Sequence, residues 1–188
     1  MPTTGRKPRA DSLRNRERLL EVATLAFAEQ GPDISLEEIA RRAGVGIGTL
    51  YRHFPNRDAI VADVYRHGVE QLTNAAVGLL EEHPPVEALR QWMRLFVEYI
   101  GTKKVMASAL NALVGGTTEL YATSGPRIIE AITLLVDRAK GAGAISAQTQ
   151  PMDLLRALVG FAYVDPGPDW QAAALRVVDI LVAGLTRR

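Results

Sequence analysis

Three features of the sequence predict an all-α fold of about nine to ten helices. Nearly every segment places apolar residues at the 3.6-residue period, and no stretch sustains the apolar/polar alternation of a strand. The apolar stretches are separated by capping residues, glycines and prolines at helix-length intervals. The chain has 188 residues, 47% of them hydrophobic and 23% charged, so it has enough apolar side chains for a core and lacks the composition of a disordered chain. The expected arrangement is a basic flexible arm at residues 1–12, a three-helix helix-turn-helix unit at 13–58 and a larger helical domain at 59–188.

The first helix carries Leu19, Leu20, Ala23, Ala26 and Phe27 on one face, with Arg16, Glu17, Glu21 and Glu29 largely on another, and stops at Gly31-Pro32. Ser35-Leu-Glu-Glu38 then reads as a capping box. The Ser35 hydroxyl serves the amide three residues on, Glu38 reaches back, and Ile34 and Ile39 occupy the positions of a hydrophobic staple. The second helix, 36–43, is short because Gly44 supplies a left-handed turn. A third short helix, 46–54, ends at Pro55, and Asn56 caps a fourth that runs from about 57 to 80. At ~1.5 Å per residue the fourth helix is roughly 35 Å long, enough to leave one small domain and enter another.

His83-Pro84-Pro85 ends that helix. Further helices are expected at about 86–101, 103–114, 117–123, 126–142, 151–164 and 169–185, separated by Gly115-Gly116, Ser124-Gly125, Gly141-Ala-Gly143 and Asp165-Pro-Gly-Pro168. The last two are apolar almost all round, and such a helix has to be covered on more than one side. They are therefore expected to pair with the same two helices of a second copy in a four-helix bundle. Leu154, Leu158, Phe161, Leu175, Val178, Val182 and Leu185 are the candidate interface residues; a purely intramolecular core is the alternative.

The formal net charge is only +1, but it is unevenly distributed. Residues 1–18 hold six basic and two acidic side chains, a net +4, whereas residues 68–188 sum to −1. A basic end on a near-neutral body points to contact with a polyanion, although a solvated tail has the same charge. The chain has no cysteine, which excludes disulfides, thiolate nucleophiles and Cys-based zinc sites. None of His53, His67 and His83 has a partner at metal-binding spacing, so neither a metal nor a cofactor is expected. The basic N-terminus leads into Asp11, Arg14, Arg16 and Arg18 rather than an apolar run, and no apolar run approaches the ~20 residues that cross a bilayer. A cytoplasmic protein without membrane contact is the expectation.

Two short helices joined by a glycine turn behind a longer one form a helix-turn-helix, whose second helix has the size that enters a DNA major groove. Its content strengthens the reading. Thr49, Tyr51, Arg52 and His53 can all donate to phosphates or base edges, while Val45, Leu50 and Phe54 can face the core. The segments Leu19-Leu-Glu-Val-Ala-Thr-Leu-Ala-Phe27, Gly31, Ile39-Ala-Arg-Arg-Ala-Gly-Val45, Gly48-Thr-Leu-Tyr-Arg-His-Phe54 and Asn56-Arg57 together resemble the TetR family of bacterial transcriptional regulators. The likeness is close from Arg16 to about Tyr65 and mainly architectural beyond.

The resemblance implies roles. Ser35, Thr49, Tyr51 and His53 match residues that grip the sugar-phosphate backbone, which sets register without reading sequence. Arg57 stands where the family commonly has a lysine beside a phosphate. Ile47, Gly48 and Arg52 occupy the positions that approach base edges, and a guanidinium suits guanine O6 and N7. Gly46 departs from the family's usual Ser or Ala and Gly48 offers no side chain, so sparse direct readout is the expectation. Arg6, Lys7 and Arg9 match basic arms that lie along a minor groove or phosphates in some relatives. In the C-terminal domain Trp92, Phe96, Tyr99, Met106, Leu110, Asn111 and Tyr121 are candidates to line a pocket for a small apolar or aromatic effector, although such residues at helical spacing also suit plain core. The function so implied is a non-enzymatic, ligand-responsive regulator, in the repressor sense, that binds a pseudo-palindromic double-stranded DNA operator as a homodimer and is released by its effector. A constitutive regulator or activator without effector, and a small helical enzyme, are the rivals.

Overall fold

In a computed structural model, which describes residues 7–164, 167 and 169–186 with side chains from residue 11 onward, the chain is all-helical. The described residues form nine helices: α1 (Lys7–Gln30), α2 (Leu36–Arg42), α3 (Ile47–His53), α4 (Arg57–Glu82), α5 (Pro85–Val105), α6 (Ala107–Asn111), α7 (Thr118–Gly141), α8 (Pro151–Val164) and α9 (Trp170–Leu185). They divide into two compact units, one made of the residues up to 67 with Thr102–Thr117, the other of Gly68–Gly101 with Thr118–Arg188.

The first unit is larger than the helix-turn-helix expected at 13–58. Its core joins Leu19, Leu20, Ala23 and Phe27 of α1 to Ile39 and Ala40 of α2, Leu50 of α3 and Phe54, all buried. Ile60, Val61 and Val64 of α4 are buried as well, as are Met106, Leu110 and Leu113. Because α4 starts at Arg57 and runs on to Glu82, the boundary expected after residue 58 falls inside a helix. Asp58 of α4 accepts a hydrogen bond from the Val114 amide at 3.2 Å, tying the loop after α6 to the start of α4.

Local chemistry explains how the short helices end. Gly44 has φ +66°, the Gly44 amide donates to the Arg41 carbonyl (3.1 Å), and the Val45 amide donates to that of Ala40 (3.0 Å). That pair of bonds is a Schellman termination, and it gives α2 and α3 a tight turn. α1 starts at Lys7, inside the stretch expected to be a flexible arm. Proline is tolerated in a first helical turn, and no breaker follows Pro8 until Gly31.

The second unit centres on Trp92, Met93 and Phe96 of α5, Ile132, Leu135 and Val136 of α7, Leu158 of α8 and Val178 and Val182 of α9. The Trp92 indole N–H donates to the Leu72 carbonyl at 2.8 Å, and the Trp92 and Phe96 rings stack with centroids 5.5 Å apart. Asp179 of α9 receives Arg90 at 2.6 Å and Arg94 at 3.1 Å, both from α5.

Two expected breaks are absent. α7 runs unbroken through Ser124-Gly125-Pro126 although Pro126 supplies no amide. Leu120, Ser124, Ile128, Ala131, Ile132 and Leu135 form one buried stripe at single-helix spacing, and burying it outweighs the lost hydrogen bond. α5 likewise continues past Gly101 to Val105, leaving only 107–111 of the helix expected at 103–114. Gly101 packs closely against α9: a Cβ there would displace the amide end of the Gln171 side chain and touch the Trp170 ring at 3.5 Å.

The interface residues expected on the last two helices divide. Leu154, Leu158, Val178 and Val182 are buried within the single chain, which corrects their assignment to a surface between copies. Facing helices α7, α8 and α9 cover them first. Leu175 and Leu185 are half-buried and Phe161 is exposed. Beside Phe161, α8 and α9 leave Val159, Tyr163, Val164 (84% exposed) and Ile180 (69%) outside. No helix among the described residues is long and apolar enough to cross a membrane.

Candidate nucleic-acid interface

The site is built outward from α2 and α3. Ser35, exposed and extended at φ −69° and ψ 151°, caps α2: its hydroxyl oxygen accepts the Glu38 amide at 3.1 Å. The second arm of the capping box is not formed. The Glu38 carboxylate accepts from Arg41 Nε and Nη2, at 2.7 Å each, and from Arg42 Nε at 2.9 Å. These hydrogen bonds hold its carboxyl down at about 2, and a flexible carboxylate goes to two cations ahead of one amide. Arg42 also reaches Glu29 of α1 at 2.8 Å, so it links the first two helices. Arg18 of α1 donates to the Ala43 carbonyl at the end of α2.

α3 has one buried residue, Leu50. Gly48 and Arg52, two residues to either side of it, lie about 160° away round the helix and face outward. Thr49 and Tyr51 lie on the two flanks, about 100° from Leu50. Tyr51 and Arg52 are exposed, and Thr49 and His53 are half-buried. Arg52 donates to the Thr49 hydroxyl oxygen at 2.8 Å. A Cβ placed on Gly46 or Gly48 would meet nothing within 4 Å. Ile47 sits toward the core side of this face and is 37% exposed.

The charges around α3 come partly from α1. The Arg16 guanidinium lies 5.6 Å over the Phe54 ring and pairs with Asp63 of α4. Burial lowers the His53 pKa, and the nearby Arg16 and Arg52 charges push it the same way, so the imidazole is neutral at pH 7. Arg57, expected beside a phosphate, is half-buried and donates to the Pro32 carbonyl, which fixes the start of α4 to the end of α1. Sequence reading missed Arg16 and Arg18 as members of this site because their partners, Asp63, Phe54 and Ala43, are remote along the chain.

Ser35, Ile47, Gly48, Thr49, Tyr51, Arg52, His53 and Arg57 thus all belong to the first unit. Arg6 lies outside the described residues. Lys7 and Arg9 are in the first turn of α1, and their side chains are not described.

The candidate effector residues are divided between the two units. Trp92 and Phe96 are buried in the second unit, whose half-buried Tyr99 stacks on Phe96 at 6.0 Å and whose Tyr121 is half-buried. Met106 and Leu110 are core of the first unit, and Asn111 is exposed at the end of α6, which corrects its assignment to an enclosed wall. The second unit has an open cleft of about 260 Å³ lined by Thr73, Asn74, Ala76, Arg127, Glu130, Ala131 and Leu134, none of them expected. Among the described residues no group of three His, Cys, Asp or Glu is placed to hold a metal.

Comparison with known proteins agrees with this geometry. Residues 19–64 match the family model described as bacterial regulatory proteins, tetR family, and residues 84–187 match that of the SbtR-like transcriptional regulator C-terminal domain. An HTH-type transcriptional regulator of Staphylococcus aureus, SAB2452, is 46% identical over 50 residues, 26% of this chain and 27% of its own length; the match thus spans about a quarter of that relative. Two solved structures are similar along nearly the whole chain. The TetR transcriptional regulator SCO0520 from Streptomyces coelicolor is 43% identical, with a TM-score of 0.84 over 91% of this chain and 98% of its own. A TetR transcription regulatory protein from Mycobacterium vanbaalenii is 34% identical, with a TM-score of 0.76 over 95% and 99%. The glycine-turned pair of short helices, the donor-rich face of α3 and both family matches lead to one conclusion: this chain belongs to the TetR family of DNA-binding transcriptional regulators.

Proposed function

We propose that the protein is a ligand-responsive repressor acting in the cytoplasm. Two copies bind a pseudo-palindromic operator and place their α3 helices in successive major grooves, roughly one turn (~34 Å) apart. The observation that carries this reading is the face of α3: Gly48 and exposed Arg52 lie opposite buried Leu50, with Thr49 and Tyr51 on the two flanks and half-buried His53 behind Thr49. Tyr51 and Thr49 lie on the flanks where the two phosphate walls of a groove run, and Ser35 stands exposed at the start of α2 for a further phosphate. Arg52 faces the base edges. Arg6, Lys7 and Arg9 add charge that follows the backbone.

The copies join through α8 and α9, with Val159, Phe161, Tyr163, Val164 and Ile180 as the exposed apolar surface that a second copy covers. A small apolar or aromatic effector binds the body and favours a state in which the reading heads no longer fit both grooves. Its differential affinity for the two states is the sole source of that shift. The test is binding of the full chain to the DNA immediately upstream of its own gene, against a scrambled duplex, over a salt series. Tight binding of the upstream duplex alone, weakening steeply with salt and reversed by an aromatic compound from a small-molecule panel, supports the reading. Equal affinity for both duplexes overturns it.

A further inference from the structure

On the reading of α3 as the DNA-facing helix, we propose that direct base recognition in each half-site rests on one side chain, Arg52, and that Thr49 is its positioning residue. The outward line of α3 consists of Gly48 and Arg52, and Gly46 precedes it. A glycine offers no side-chain hydrogen bond, and nothing stands within 4 Å of where the Cβ of Gly46 or Gly48 would be. Ile47 lies on the core side of the Tyr51 flank, away from the groove centre. Arg52 is therefore the one side chain on that line with donors, and it is exposed.

A free arginine loses rotamer freedom when it docks. Here the guanidinium already donates to Thr49 Oγ1 at 2.8 Å, one turn back on the same helix. One nitrogen is used by Thr49, which leaves the other N–H groups of this exposed side chain for a base edge and lowers the ordering that docking requires. A fork of two parallel donors matches O6 and N7 of guanine and no other base edge so well. The half-site is thus built around one strongly specified guanine, and the flanking positions are set by backbone fit. Thr49, whose family counterpart grips a phosphate, acts here first on Arg52.

The experiment is selection of duplexes from a random pool by the full chain, followed by affinity measurements on the enriched site. One guanine per half-site should dominate, its change to adenine costing roughly 5- to 150-fold. Replacing that guanine by 7-deazaguanine, or Arg52 by Ala, should remove most of the discrimination. Thr49→Val keeps the shape of the side chain without the hydroxyl and should cut the guanine-to-adenine ratio by roughly 2- to 12-fold, the worth of one hydrogen bond; Thr49→Ser should restore it. A pool that enriches nothing overturns the reading of α3 together with this assignment. An enriched site at which Arg52→Ala keeps full discrimination overturns the assignment alone. A Thr49→Val protein that loses affinity equally for guanine and adenine sites shows a phosphate contact and overturns the positioning role.

Discussion

Ser35 sits at the point where stability and DNA contact can be separated. Its hydroxyl caps α2 through the Glu38 amide at 3.1 Å, and Glu38 makes no return bond because Arg41 and Arg42 hold its carboxylate. Ser35→Ala therefore removes a cap with no second bond to share the loss, at about 1 kcal/mol within a range of roughly 0.5–2. If the chain unfolds as one cooperative unit of its size, that is a fall in Tm of about 2–4 °C. Ser35→Asp keeps a capping oxygen and adds a negative charge at a helix start, worth about 0.3–1 kcal/mol in the stabilising direction. The same charge faces the phosphates that the hydroxyl is proposed to meet. With one contact of about 0.5–1.5 kcal/mol in each of two subunits, both variants should bind operator DNA roughly 5- to 150-fold more weakly. Thermal unfolding and fluorescence anisotropy on a labelled operator measure the two quantities independently. Ser35→Asp matching the wild type in both stability and DNA affinity would refute the phosphate role, and an undiminished Tm in Ser35→Ala would refute the cap.

Three further predictions follow from particular residues. His53 is neutral in the free protein because burial and then Arg16 and Arg52 lower its pKa; a phosphate beside it would raise that pKa, so binding takes up protons. Operator affinity should rise as pH falls from about 7.5 to about 5.5, His53→Gln should flatten the profile, and a pH-independent wild type would remove His53 from the phosphates. Ile180→Arg, at an exposed site on α9, should give a folded monomer in sedimentation, whereas Leu158→Ala should leave the dimer intact and cost the fold about 2–5 kcal/mol in urea unfolding. The reverse pattern would return the interface to the buried residues. Pro126→Ala restores an amide to the middle of α7 and should stabilise the chain by up to about 3 kcal/mol; a lower Tm would show that the packing of α7 depends on the proline.

The first unit was legible because its signals are local. Ser35 announces a helix start three residues before the amide it caps, and Gly31 and Gly44 mark the positive-φ positions at which α1 and α2 end. The break expected at Ser124-Gly125-Pro126 shows the limit of such punctuation: a buried stripe extending from Leu120 to Ala139 is a longer-range term, and it prevailed. The apolar character of α8 and α9 is visible in the sequence, but composition does not tell which side the same chain covers, so it does not separate buried Leu158 and Val178 from exposed Ile180. The effector wall was the least legible part. A concavity depends on residues far apart in sequence, and helical spacing alone treats Trp92, whose ring N–H is committed to Leu72, and half-buried Tyr99 alike.

The central claim is that two copies of α3 read two grooves on one side of a duplex, and hydroxyl-radical footprinting of the full chain on its selected operator tests it most directly. Two protected patches related by inversion are expected, centred about 10 base pairs apart or slightly more, with loss of both when Tyr51 and Arg52 are replaced by alanine. A single patch, a continuous footprint or protection that survives those substitutions would contradict it.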